Sequence, residues 1–99
     1  MQEDANALRE AVEQLHNCKA RLREVVAVKE RFRGETVWEG VVHVFDLGGH
    51  PSATVCYAWS SPVKGSERRR FYAVLRVPPV TSPTDAIRAA IVAGYKGTD

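Results

Sequence analysis

The first third of the chain carries a hydrophobic pattern with the period of an α-helix. Between Glu3 and Phe32 the sequence has neither Pro nor Gly. Apolar residues recur at spacings of three and four, at Ala5, Leu8, Val12, Leu15, Leu22 and Val26. Such a stripe is typical of an amphipathic helix, and Gly34 supplies a stop signal. The pattern therefore predicts one long helix over residues 3–33.

The remainder predicts three strands and a second helix. Segments rich in β-branched and aromatic residues predict strands at 36–46, 53–60 and 68–77. Turn-forming residues separate them, including Gly48 and Gly49. A helix is predicted over 83–94, with Ser82 as its N-cap, Pro83 at its first position and Asp85 completing a capping box.

These elements predict a single α+β domain over residues 1–99 with the order α-β-β-β-α. Short links favour a three-stranded antiparallel sheet, packed against a long N-terminal helix and a shorter C-terminal helix. Both faces of the first strand are apolar, so the sequence leaves open which of them meets the helices. The choice is between two sets: Val37, Val41 and Phe45, or Trp38, Val42 and Val44.

The pattern also predicts a homodimer. A helix of roughly 28 residues spans about 42 Å, which is longer than the sheet it would cover. The second face of the sheet is also apolar, with Cys56, Ala58, Tyr72 and Val74 on it. An uncovered apolar face of this kind indicates a dimer interface or a binding groove, and the sequence does not choose between the two.

Composition narrows the class of protein. The 99 residues carry a formal net charge of +2, which is too weak to argue for nucleic acid by itself. No apolar run reaches the length of a membrane span, and the first residues do not resemble a signal peptide, so a cytoplasmic location without membrane contact is expected. Cys18 and Cys56 lie in different predicted elements without zinc-type spacing. We therefore expect reduced thiols, no metal and no cofactor.

Candidate chemistry is sparse. Glu39 and His43 share a face of the first predicted strand, and Cys56 lies on the next, so a Cys-His-acid group is one hypothesis. The alternative is that they are polar residues on a half-exposed or interface face. His50 follows two glycines in a loop; it is either part of a β-turn or a ligand contact at the loop tip.

One basic cluster stands out. Arg68, Arg69 and Arg70 follow Lys64, and Tyr72 and Arg76 continue the same segment. Arginine interleaved with an aromatic residue suits single-stranded nucleic acid, whereas the simpler interpretation is a solvated hairpin end. The leading functional hypothesis is a small non-enzymatic, dimeric binding or adaptor protein for a protein or small-molecule partner. Nucleic-acid binding through the arginines is the first alternative, and a small enzyme using His43 and Cys56 is the second.

Two resemblances bear on these hypotheses. The order α-β-β-β-α resembles the double-stranded RNA-binding domain in topology, although the second helix opens Ser82-Pro83-Thr84-Asp85 without that family's lysine cluster. Four segments are similar to small uncharacterised bacterial proteins of mobile DNA, such as integron gene cassettes. They are the segments at 38–47, 49–51, 56–60 and 77–91. This second resemblance implies a compact α+β protein and supplies no site residues.

Overall fold

The computed structural model describes residues 2–62 and 65–97 and has two helices around one antiparallel sheet. The elements are α1 (Gln2–His16), β1 (Lys19–Phe32), β2 (Glu35–Gly48), β3 (Val55–Pro62), β4 (Arg69–Leu75) and α2 (Pro83–Gly97). The strands lie in chain order β1-β2-β3-β4, each antiparallel to its neighbour. The α+β class and the antiparallel sheet are confirmed. The predicted count of three strands is wrong, because residues 19–32, which were predicted to be part of the long helix, form a fourth strand.

The predicted helix over residues 3–33 ends at His16 instead. Asn17 adopts a left-handed conformation with φ of 51°, which Asn tolerates better than most residues. The Cys18 N–H then donates to the Glu13 carbonyl at 3.4 Å, the long-range bond of a Schellman cap. The Glu13 carboxylate also accepts the Ala20 N–H at 2.9 Å. Asn17 therefore ends the helix, in the role that was predicted for Gly34.

Residues 19–32 form a strand whose alternation is interrupted by a β-bulge at Arg23. Leu22 pairs with Phe45, whereas Glu24 pairs with Val44, so Arg23 is the extra residue. The bulge exchanges the faces to which odd- and even-numbered residues point. Because the apolar positions change parity there, their spacing along the whole segment imitates that of a helix.

The β1–β2 connection is a tight turn. Arg33 and Gly34 both have positive φ, at 54° and 82°, between the paired residues Phe32 and Glu35. Positive φ at both central positions is the signature of a type I′ hairpin turn, which matches the twist of the strands. Gly34 is therefore a hairpin residue, and its assignment as a helix stop is wrong.

The two helices cover opposite faces of the sheet. The core under α2 contains Val28, Val42, Val44, Val55, Tyr57, Trp59, Ala86 and Ile87. The core under α1 contains Leu8, Val12, Ala20, Phe45, Cys56 and Ala58. The expectation that both helices share one face is thus wrong. Both faces of the first predicted strand are used, since Val42 and Val44 meet α2 whereas Phe45 meets α1.

The expected open apolar face is correspondingly divided between the helices. Cys56 and Ala58 are buried under α1, and Tyr72 and Val74 pack against the core under α2. The expectation that Tyr72 and Val74 share a face with Cys56 and Ala58 is wrong, because Val74 lies directly opposite Tyr57 on the α2 side. Among the described residues, α1 therefore covers one face of the sheet and α2 covers the other.

The second helix begins as its sequence predicts. The Ser82 hydroxyl accepts the Asp85 N–H at 3.1 Å, and Asp85 accepts from both the backbone N–H and the hydroxyl of Thr81 at 3.1 and 2.9 Å. The backbone N–H of Thr81, with its hydroxyl, holds the pKa of Asp85 below its usual value. Arg88 donates to Glu30 at 2.6 Å and ties α2 to β1. The helix continues beyond the predicted end at residue 94.

Leucine-to-alanine substitutions in α1 distinguish the short helix from the predicted long one. The Leu8 side chain is 1% exposed and Leu15 is 63% exposed, although both lie on the same sequence stripe. We expect Leu8→Ala to lower the free energy of unfolding by about 3 kcal/mol, because it leaves a cavity under α1. Leu15→Ala is the matched control and changes it by less than about 0.5 kcal/mol. Urea denaturation measures both, and equal losses would contradict the observed docking of α1.

Candidate functional site between β2 and β3

Strands β2 and β3 are paired over only one end of their length. The ladder joins His43–Asp46 to Val55–Ala58, yet β2 begins at Glu35 and β3 continues to Pro62. Beyond the His43–Ala58 pair, β2 stays with β1 and β3 stays with β4. The sheet therefore forks, and a cleft opens between the two hairpins.

The cleft contains a cavity of about 430 Å³ on the side of the sheet that α1 covers. Its walls come from α1, β2, β3 and β4. The lining residues are Leu8, Trp38, Glu39, Gly40, Val41, His43, Trp59, Ser60, Ser61 and Arg69. This volume falls within the range of small-molecule sites, which combine apolar walls with a few polar groups.

Aromatic side chains line the cleft on the side of the sheet that α2 covers. The Trp38 and Trp59 rings meet edge to face with centroids 6.1 Å apart, and Trp59 stacks on Tyr72 at 5.2 Å. Gly40 makes room for this arrangement, because a Cβ there would lie 3.0 Å from Cη2 of Trp38. A second cavity of about 230 Å³ lies on this side, between the aromatic residues and Ile87 and Ile91 of α2, among others.

The charged groups of the cleft and the His43 ring lie on the α1 side. Arg69 Nε donates to the Ser60 hydroxyl at 2.8 Å, and Nη2 donates to the Ser60 carbonyl at 3.2 Å. Glu39 is exposed and lies directly opposite Lys29 of β1. The His43 ring is buried and stacks on Phe45 with centroids 6.4 Å apart. A charged group of each sign therefore flanks a largely apolar floor.

The proposed Cys-His-acid group finds no support in the chemistry of its thiol. Cys56 and His43 do share the α1 face of the sheet, on diagonally adjacent positions. Cys56 is fully buried, however, and burial raises the pKa of its thiol to about 12. Burial and nearby Glu13 also raise the pKa of the Cys18 thiol. Since the thiolate is the nucleophile, both cysteines are unsuited to that role.

The arginine cluster is dispersed by the strand geometry. Arg69 points to the α1 side and is engaged with Ser60, whereas Arg70 alternates to the side of Tyr72. Tyr72 is partly buried, and its ring stacks on Trp59. Arg68 and Arg76 are exposed, and Lys64 lies outside the described residues. Tyr72 thus belongs to the aromatic wall of the cleft, which reduces its availability for stacking with a base.

His50 has a structural role in the β2–β3 connection. Its Nδ1 accepts the backbone N–H groups of Ser52 and Ala53 at 3.0 and 3.1 Å, which places the ring proton on Nε2. His16, at the end of α1, meets the His50 ring edge to face at 5.9 Å. His16 Nε2 lies 3.2 Å from the Ala73 carbonyl oxygen. The loop tip therefore holds the end of α1 against the sheet.

Sequence reasoning located only part of this site. Glu39 and His43 lie in it, whereas His50, Cys56 and Val74 do not line it. The sequence alone leaves open whether Trp38 and Trp59 belong to the core or line a pocket, and the structure places both at the cavity. The roles of Val41 and Ser60 were missed. No local signal marks the fork, because β3 goes on pairing with β4 through Pro62 after it has left β2 at Ala58.

Among the described residues, no cluster of three or more His, Cys, Asp or Glu is arranged to hold a metal ion. No helix in that part of the chain is long and apolar enough to span a membrane. No protein-family model matches the chain, and no curated protein or solved structure matches it. The similarity to mobile-DNA proteins stays a prediction.

Substitution of His50 tests its structural role. We expect His50→Ala to lower the free energy of unfolding by about 1–2 kcal/mol, because two backbone donors lose their acceptor. His50→Asn is the matched control, since an Asn side chain can accept the N–H two residues ahead, and it retains most of the stability. Urea denaturation measures both. Equal stability of His50→Ala and the wild type would show that the imidazole does not hold the loop.

Proposed function

We propose that this protein is a small non-enzymatic binding protein that holds its ligand in the cleft between β2 and β3. The observation that carries the proposal is the divergence of the two strands beyond His43 and Ala58. A sheet that could have continued its ladder opens instead around a cavity of about 430 Å³. Aromatic, acidic and basic side chains converge there, as they do in binding pockets.

Features of the cleft favour binding over catalysis. Arg69 is fixed by two hydrogen bonds to Ser60, so a ligand meets a preorganised guanidinium group. Trp38 and Trp59 are held by mutual contact and by Tyr72. The nearest thiol is protonated and buried, as described above, and thus offers no nucleophile. These features support recognition by shape, aromatic contact and charge.

A thermal-denaturation screen tests the cleft as the binding site. Wild-type protein is screened against a panel of metabolites and short peptides. A ligand present at a concentration of about one hundred times its Kd raises the free energy of unfolding by about 2.7 kcal/mol. We expect Val41→Arg, at the cleft wall, to abolish the rise in Tm produced by any such compound. Val37→Arg is the matched control, because Val37 and Val41 are 48% and 49% exposed and only Val41 lines the cavity.

Two results would contradict the proposal. One is that no compound in the panel raises the Tm of the wild-type protein. The other is that the rise persists unchanged in Val41→Arg. The Tm values of the unliganded variants provide the folding control, since exposed substitutions change stability by about 0.5 kcal/mol or less.

Nucleic-acid binding is separated from this proposal by its dependence on salt. Binding of an oligothymidylate through Arg68, Arg70 and Arg76 would weaken steeply as salt rises, because condensed counterions are released from phosphates. Arg69 and Tyr72 are already engaged in the cleft, which favours the cleft proposal. A steep salt dependence together with lost binding in Arg70→Ala would favour the nucleic-acid alternative.

We also propose that the protein acts as a homodimer. The predicted long helix cannot support this proposal, because α1 ends at His16. The support comes from Leu22 and Val25 of β1, which lie on the α1 side of the sheet and are 41% and 50% exposed. Adjacent exposed apolar side chains on a strand favour association.

The dimer proposal is tested by mass. We expect sedimentation at tens of micromolar to give twice the chain mass of 11.0 kDa. Val25→Lys then shifts the distribution to monomer, because it places a charge in the contact. Val92→Lys is the control, since Val92 is 52% exposed on α2. A wild-type monomer would exclude the dimer.

A further inference from the structure

The open side of β2 presents unpaired backbone groups to the cleft. The Leu47 N–H donates to the Thr54 carbonyl at 2.8 Å, so odd-numbered residues of this part of β2 direct their N–H and C=O groups toward β3. Continued along the strand, this alternation points the backbone groups of Glu39 and Val41 into the cleft. In the described ladders, both residues pair with β1 residues and neither pairs with a residue of β3.

The opposite side of the cleft is protected. The Val55 carbonyl accepts the Arg76 N–H at 2.9 Å, so odd-numbered residues of β3 face β4 and Ser60 faces the cleft. Arg69 donates to the Ser60 carbonyl and hydroxyl. Its guanidinium group occupies the place of a neighbouring strand there. Of the two edges, β2 is therefore the one that remains open to pairing.

The two cavities lie where alternate side chains of an added strand would point. Trp38, Trp59 and Ser61 border both cavities, with the larger on the α1 side and the smaller on the α2 side. Successive side chains of an extended chain point to opposite faces of a sheet. A strand beside Glu39–Val41 would place one side chain among the indoles and Ile87, and the next beside Glu39. The aromatic cavity suits an apolar side chain, and the Glu39 carboxylate suits a basic one.

We infer that the cleft binds an extended peptide segment of a partner protein, which adds as a strand to the β2 edge at Glu39–Val41. The segment carries apolar and basic side chains in alternation. This inference rests on the proposed binding function and names its ligand class. Strand addition of this kind takes affinity from main-chain hydrogen bonds and specificity from pockets for alternate side chains.

Proline substitutions test the main-chain contact. Random heptapeptides displayed on phage are selected on the full chain, and the enriched peptides are synthesised for fluorescence anisotropy. Val41→Pro removes the N–H that faces the cleft without removing a β1–β2 hydrogen bond. Ala27→Pro is the matched control, because Ala27 lies opposite Val41 and the same alternation points its N–H to solvent on the other side of the hairpin.

We expect Val41→Pro to weaken binding of the selected peptides at least tenfold and Ala27→Pro to leave it unchanged. N-methylation of one backbone amide in the peptide is expected to cause a similar loss, and this readout does not depend on the folding of a protein variant. The enriched sequences are expected to alternate apolar with Lys or Arg residues, and Glu39→Gln to weaken their binding.

Other outcomes would overturn the inference. Peptides that tolerate both Val41→Pro and N-methylation at every amide would show binding without strand addition. Failure to enrich any peptide, while a metabolite still raises Tm in a manner lost in Val41→Arg, would exclude a peptide ligand and leave the proposed binding function intact. Loss of the homodimer in Val41→Pro but not in Ala27→Pro would assign the edge to a second copy of this chain instead. Absence of both peptide and metabolite binding would exclude the binding function itself.

Discussion

The pairing of β1 with β2 is the interaction on which the rest of the structure depends. It runs from Lys19–Gly48 to Phe32–Glu35 and supplies a surface for both helices. Val28 and Val42 form part of the core under α2, and Ala20 and Phe45 form part of the core under α1. Both faces of this hairpin are apolar at the end away from its turn. Neither helix alone could therefore bury both faces.

The length of this hairpin also creates the cleft. Since the β2–β3 ladder covers only His43–Asp46 of β2, the residues of β2 before His43 have one neighbouring strand instead of two. Trp38 covers this part on the α2 side by lying over Gly40, and Arg69 caps the facing edge of β3. Backbone groups that point into the cleft need hydrogen-bond partners, and solvent or a bound ligand can supply them.

The sequence predicts those elements whose signals are local. The strand boundaries at 36–46, 53–60 and 68–77 agree closely with β2, β3 and β4, and the Ser82 cap places the start of α2. Residues 19–32 were assigned wrongly because the Arg23 bulge changes the parity of the apolar positions, and because Asn17 ends α1 where no glycine marks the stop. The first error reflects strand pairing that overrides a local period, and the second reflects a local helix cap formed by Asn17 where a glycine was expected. The fork was equally hidden, because it depends on which residues of β2 lack a partner.

An open strand edge flanked by apolar residues would ordinarily invite indiscriminate pairing. Here the edge is short and lies inside a cleft, so an incoming chain must also fit between Trp38 on one side and the Leu8 and His43 walls on the other. Glu39 adds a charge that a purely apolar strand would have to leave unpaired, at a cost in binding free energy. The features that keep the edge from aggregation are thus the ones that would select its ligand. Under the proposed strand addition, the part of the hairpin that extends past β3 supplies the edge, and the indoles and the carboxylate supply its selectivity.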